Sequence, residues 1–312
     1  MRKIVGAVLI GIGGFLLVAA IVAVTWVPGQ VQRTPIEIDT TTELEGQVAT
    51  LDTETQELSE TRDVYALSIT KSDTEASTDD TVVFTTNTCL NEDLGQPREC
   101  YSPAEEDFVV TVSPTDVAAT DRSTALAVPT DLEPVEHEGL INKWPFDAEQ
   151  ETYPYWDSTA QVAVDAVFDR TEEIEGLETN VYRIEVRDAP VLVSGLSEEI
   201  DGTYDDVKEI YVDPRTGAIV NQTEQQQRFF DDGTQALDLE LAFTDEQVAT
   251  NVADAQDNAS SLDLLMRTVP LIGFIGGPLL LLGGLVLLLV GGRNRSATHS
   301  GRDSRPMAGA GV

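Results

Sequence analysis

Two runs of about two dozen residues without a single Asp, Glu, Lys or Arg, 4–27 and 269–292, stand at opposite ends of this chain. A bilayer core about 30 Å thick requires roughly 20 helical residues to cross it. Each run is therefore expected to form a transmembrane helix. The first is too long for a signal-peptide core, and no A-x-A cleavage site precedes Trp26-Val27-Pro28, so it reads as a retained anchor. Arg2 and Lys3 precede the first run, and Arg293, Arg295, Arg302 and Arg305 follow the second. The bias of basic flanks toward the cytoplasm places both termini inside and residues 28–268 outside. Arg267 alone opposes this orientation and is outweighed by the four arginines.

The same division partitions the charge. Residues 28–268 hold 54 of the 55 acidic and 13 of the 19 basic residues, a net −41. A field of that sign disfavours nucleic acid and bare anionic lipid surfaces. Only four lysines occur, Lys3, Lys71, Lys143 and Lys208, as in the acidic proteomes of salt-adapted organisms. Salt screens such self-repulsion, so the external segment is expected to gain stability in high salt.

Both apolar runs carry small residues at four-residue spacing: Ala7 and Gly11, Ala19 and Ala23, Gly273 and Gly277. Such spacing lets helix backbones approach closely and predicts a pair formed by the chain's own ends. Pro278 interrupts the second helix, an interruption that neighbouring helices tolerate. No charged residue in either span suggests an ion pathway. Cys89 and Cys100, the only cysteines, enclose turn formers Asn91, Gly95 and Pro97. In an oxidising exterior they are expected to form a disulfide contributing about 3 kcal/mol. No His/Cys cluster accompanies them, so no metal site is expected.

The external segment is patterned mainly as strands. Runs rich in Val, Ile, Thr, Tyr and Phe recur at 63–70, 81–86, 108–113, 161–169 and 181–187. Residues 208–212 and 218–230 flank Asp213-Pro214-Arg215-Thr216-Gly217, where Pro presets a turn dihedral and Gly accepts positive φ. A second turn at Asp231-Asp232-Gly233 leads to alternating residues 236–243, which predicts a three-stranded antiparallel meander. Thr244 reads as the cap of a helix over 245–266. Residues 71–80 read as an exposed insertion and 293–312 as a disordered inner tail.

The densest local feature is 143–157, KWPFDAEQETYPYWD. Its rings Trp144, Phe146, Tyr153, Tyr155 and Trp156 are the candidate ligand-binding residues, suited to seating a lipid or stacking on a sugar. The competing reading is a core crossing in which the same rings bury area. Catalytic signatures are absent: no G-x-S-x-G, H-E-x-x-H or Walker loop occurs. His137, between Glu136 and Glu138, reads as part of a solvated loop, and Asp205-Asp206 and Asp231-Asp232 as turns. The two sequons, at Asn221 and Asn258, read equally well as polar surface.

The segments GLINKWPFD, TYPYWD, EGLETNVYRIEV, EIYVDPRTGAIV and LAFTDEQVATNVADAQDNASSLDLLMRTVPLIG, in this order, resemble an actinobacterial envelope-protein family labelled the porin PorA family. The resemblance runs from the first span through the second. It implies two terminal anchors around a large external domain and carries no assigned catalytic or ligand residues. In topology alone the layout is similar to the CD36 scavenger-receptor family, whose external β-barrel encloses a lipid tunnel. A monomeric membrane barrel does not fit the residues, because a run such as NQTEQQQR at 221–228 cannot face lipid.

Together these features predict a membrane-anchored α+β protein. A cytoplasmic N-terminus (1–3) precedes a transmembrane helix (4–27), a β-rich external domain (28–268) with a helix at 245–266, a second transmembrane helix (269–292) and the tail. The β-rich domain is expected as a barrel-like or twisted antiparallel sheet. The expected function is noncatalytic and without cofactor: binding or transfer of lipid or another amphiphile. The alternatives are a scaffold for a membrane complex and an oligomeric porin. Membrane and envelope proteins are the expected partners, with no nucleic acid.

Overall fold

The structure, a computed structural model, describes residues 1–292 apart from positions 53, 105, 107, 133–135 and 195–198. The expected tail at 293–312 lies outside the described residues. The chain begins with helix α1 (Arg2–Thr25) and a single helical turn, α2 (Pro28–Val31). Strands β1 (Asp39–Asp52), β2 (Glu57–Leu58), β3 (Arg62–Asp73), β4 (Thr81–Glu92), β5 (Val109–Val112) and β6 (Asp116–Asp121) follow. Next come β7 (Tyr153–Asp157), β8 (Val162–Ile174), β9 (Leu177–Ser194), β10 (Glu199–Val212), β11 (Ile219–Phe230) and β12 (Gln235–Phe243). Helix α3 (Asp245–Asp263), a π-helical turn (Leu264–Thr268) and helix α4 (Val269–Gly292) complete the described chain. The chain divides into two compact units, 1–28 with the residues from 262 onward, and 29–261.

In the first unit α1 and α4 are each long and apolar enough to cross a membrane. They pack antiparallel through small residues. A Cβ on Gly13 would come within 2.7 Å of the Gly277 carbonyl oxygen, and one on Gly284 within 2.7 Å of the Gly6 carbonyl oxygen. Gly273 stands against Ala20. The predicted pairing is therefore present, with Gly273 and Gly277 in the seam and the expected Ala23 buried, but Ala19 is half-buried, Ala7 and Gly11 are exposed, and the α1 stripe against α4 is Gly6, Gly13 and Ala20. Its step is seven residues, two helical turns. Hydropathy gives no phase in a helix that is apolar all round.

The second unit is built on one antiparallel sheet, ordered β5-β4-β3-β1-β12-β11-β10-β9-β8-β7, with β2 on β1 and β6 beside β5 on β4. The predicted three-stranded meander forms β10 to β12 and extends back through β7. Gly217 and Gly233 adopt φ of +74° and +84° in its turns, as their positions require. Strand β1, which the sequence pattern did not single out, inserts between β3 and β12 and so joins the first and last parts of the sheet. Residues 71–73, expected in an insertion, belong to β3 and pair with β4.

The sheet is not closed: β6 and β7 do not pair. Isolated bridges span the interval, Thr120 with Ala127, Leu126 with Leu140, and Leu140 with Tyr155. They bring the two margins together and curl the sheet around an inner face. On that face one apolar cluster centres on Leu140, Trp144, Tyr182, Ile184 and Ile210, and another on Leu44, Val48, Val64, Leu90 and Leu239. The outer face is covered where α3 sets Val252 and Ala255 against Val181, Tyr211 and Val220. Thr244 caps α3 as expected, accepting the Gln247 N–H at 3.1 Å. The Cys89–Cys100 disulfide is formed and ties a loop over Tyr65 and Leu67, with the Tyr65 hydroxyl donating to the Glu99 carbonyl at 3.0 Å.

Candidate functional site

The aromatic segment approaches the sheet at Trp144. Its backbone N–H donates to the Gly217 carbonyl at 2.8 Å, and its ring is fully buried. Tyr155 and Tyr182 stack on Trp144 with centroids 5.7 and 5.0 Å away. Tyr153 and Phe168 meet Tyr182 edge-on. The structure thus brings Trp144, Tyr153 and Tyr155 into one group around Tyr182, a residue the segment's composition did not flag. Phe146 and Trp156 lie elsewhere. Phe146 sits beneath the Lys143 ammonium, 3.8 Å from the ring centroid, and burial lowers the Lys143 pKa to about 8, only partly countered by Asp213. Trp156 packs against His137 at 4.7 Å.

His137 is not solvated, as its acidic neighbours suggested. It is buried, and Nε2 lies 2.9 Å from Asp116 Oδ1 at the start of β6. Adjacent glutamates say nothing about the side on which a ring between them packs.

Period-two alternation in β7 sends Asp157 to the same face as Tyr153 and Tyr155. There it meets an ion cluster that sequence reasoning missed. Lys208 Nζ lies 2.8 Å from Asp206 Oδ2, 3.2 Å from Asp157 Oδ2 and 3.5 Å from Glu224 Oε1. Tyr204 donates to Asp157 Oδ2 at 3.3 Å. The Asp157 and Asp206 side chains have no exposed surface, and that of Lys208 is 12% exposed. Strand register assembles the set, since Lys208 stands opposite Glu224, Asp206 opposite Gln226 and Tyr204 opposite Arg228. Asp205-Asp206 is accordingly no turn but the middle of β10, whereas Asp231-Asp232 does form one. A signal was available: Lys208 is one of four lysines in the chain and lies in a strand-like run.

Burial pushes Asp206 up to about 7, against the pull of Lys208 and with further push from Glu224 and Asp157. Burial by itself would lower Lys208, but Glu224, Asp206, Tyr204 and Asp157 outweigh it and hold the ammonium well above its usual value. Burial likewise raises Tyr155 to about 12. A lysine held in its charged form is a poor nucleophile, so the cluster is suited to ion pairing.

Among the described residues, no group of three or more His, Cys, Asp or Glu side chains is arranged to hold a metal ion. Two depressions of about 570 and 610 Å³ open to solvent, one along Val164, Val167 and Phe168, the other beside Leu51 and Arg62. Trp144 Nε1 is enclosed without a hydrogen-bond partner among the described residues.

Past the sheet, β9 and β10 continue as a two-stranded ribbon. β8 pairs with β9 only as far as Ile184, and β11 with β10 only from Gly202. Within the ribbon Val191 pairs with Gly202, Leu192 with Asp201 and Val193 with Ile200. Leu192 and Ile200 therefore point to opposite faces, and they are 56% and 46% exposed.

The family model described as Porin PorA matches residues 5–286. No curated protein matches the chain.

Proposed function

The chain belongs to the porin PorA family and is a membrane protein of the cell envelope, and from that premise we propose that it acts without catalysis as an assembly partner in a membrane complex. In this reading both termini are cytoplasmic and the sheet unit lies outside the cytoplasm, as the basic residues flanking the spans favour. The observation that carries the assembly role is the β9–β10 ribbon, which holds Leu192 and Ile200 in solvent on opposite faces. Taken singly such residues are ordinary surface; carried on both faces of one ribbon, they give a partner an apolar grip from either side. A ribbon flanked by no further strand gains rigidity when a partner packs on it. The filled inner face supports the same role, since Trp144, Tyr182, Ile210 and the Lys208 cluster occupy it and leave the outside as the working surface.

Native mass spectrometry of the full chain extracted in mild detergent tests this. Wild type should retain other envelope subunits or further copies of itself, and Leu192→Asp with Ile200→Asp should release them at an unchanged melting temperature. A wild-type protein that is monomeric and alone overturns it. A ring of identical copies would be the arrangement an oligomeric porin needs, because one helix pair cannot enclose water.

A second reading, amphiphile binding, is favoured by the stacked rings around Trp144 and by its enclosed Nε1 donor, which a ligand oxygen would satisfy. Lipid retained in stoichiometric amount by wild type and lost in Trp144→Phe is its expected signature.

A further inference from the structure

The ion cluster on the inner face holds more acid than base. Asp157 from β7, Asp206 from β10 and Glu224 from β11 surround Lys208, while the next cation, Arg228, stands over the Tyr204 ring at 6.0 Å. Tyr155 and Tyr204 are the other titratable groups facing the set, and both stay neutral because burial raises them. Gln226 donates to Glu224 at 3.2 Å and adds no charge. β9 contributes Ile184 and Val186 to this part of the sheet, neither of which can compensate an ion. With every carboxylate ionised, three negative charges face two positive ones in a region flanked by apolar clusters. Coulombic terms there are several-fold stronger than in water.

We infer that one carboxylate of this cluster holds a proton in the folded protein, and that its loss loosens the β7–β10–β11 part of the sheet, making the external unit a proton-responsive body. Asp206 is the carboxylate to which the geometry assigns the proton. Both its oxygens are enclosed and its one ionic partner among the described residues is the Lys208 ammonium at 2.8 Å, whereas Asp157 also accepts from the Thr159 and Ala160 N–H groups and the Tyr204 hydroxyl, and Glu224 from Gln222 and Gln226. An enclosed carboxylate of that kind is the most costly of the three to ionise. Its elevation to about 7 agrees with that assignment.

The direction of the response follows by linkage. A carboxylate raised from its unfolded value of 3.8 to about 7 contributes stability that is fully present below pH 3.8 and is lost as pH rises through 7. In that window one extra bound proton makes the unfolding equilibrium up to about tenfold less favourable to the folded state per pH unit.

The test compares the full chain and Asp206→Asn in detergent at constant ionic strength from pH 5 to 8.5. The surface carboxylates are common to both proteins, so the difference between them isolates Asp206. Wild type should lose stability relative to the variant by up to about tenfold in the unfolding constant per pH unit up to about 7, and the two should run parallel above about 7.5. Parallel curves across the whole range overturn the inference. Hydrogen exchange of wild type provides a readout that does not depend on the variant folding. After correction for the intrinsic rate, amides of Val207, Glu209 and Gln225 should lose protection between pH 5 and 7.5, while those of Val48 and Ala66 in β1 and β3 hold theirs. A uniform change across all these strands also overturns it.

Discussion

Gly217 shows how one position couples a turn to the aromatic group. Its φ of +74° lies where an L side chain is strained, and a Cβ there would come 2.1 Å from the Trp144 carbonyl oxygen. The turn is further fixed by Asp213, whose Oδ2 accepts the Thr216 N–H at 3.0 Å. Gly217→Ala is expected to destabilise the protein by at least about 2 kcal/mol, combining backbone strain with displacement of the Trp144 segment. Chemical denaturation followed by tryptophan fluorescence measures it. Much of this was legible beforehand, because Asp-Pro-Arg-Thr-Gly announces its turn through its own dihedral preferences. That the turn would receive Trp144, 73 positions earlier, was not legible, since no local preference records a contact of that range.

The two apolar helices illustrate a different limit. Their existence follows from composition averaged over a whole segment, but their contact face depends on phase, and an all-apolar helix carries little phase information. Close approach selects Gly6, Gly13 and Ala20, where a larger side chain would meet the opposing backbone. Gly13→Leu should therefore weaken the pair by about 1–3 kcal/mol, the usual cost of forcing extra methylenes into a packed interface. Gly11→Leu, on the exposed face, should leave it unchanged. Thermal unfolding followed by circular dichroism in detergent distinguishes the two, and equal effects would refute the assignment of faces. Strand β1 is the corresponding case in the sheet. Its Thr- and Glu-rich sequence is weakly apolar, yet Leu44 and Val48 are buried because β3 and β12 flank it.

For the chain as a unit the dominant quantity is charge. Residues 28–268 carry a net −41, and the few cations are spent locally, as where Arg170 bridges Asp169, Glu172 and Glu209. Raising sodium chloride from 0.05 to 1 M shortens the screening length to about 3 Å. The melting temperature of the sheet unit within the full chain is expected to rise over that range, and a flat or falling profile would contradict the repulsion argument. This effect differs from that of Asp206, because an enclosed ion cluster is screened far less than surface charge.

Hydropathy, turn chemistry and cysteine placement act over a few residues or over a segment's average, so the two spans, the β10–β12 meander, the Thr244 cap and the Cys89–Cys100 bridge could be read without coordinates. The Lys208 cluster could not. It unites Asp157, Asp206 and Glu224 from three strands, and its formation depends on register, in which a slip of one residue would turn each of these side chains to the opposite face. His137 was hidden for the same reason, since its burial comes from Asp116 and Trp156, partners that pairing across the sheet margins supplies. Local physics chose the elements, and long-range pairing chose which of their polar side chains would be enclosed together.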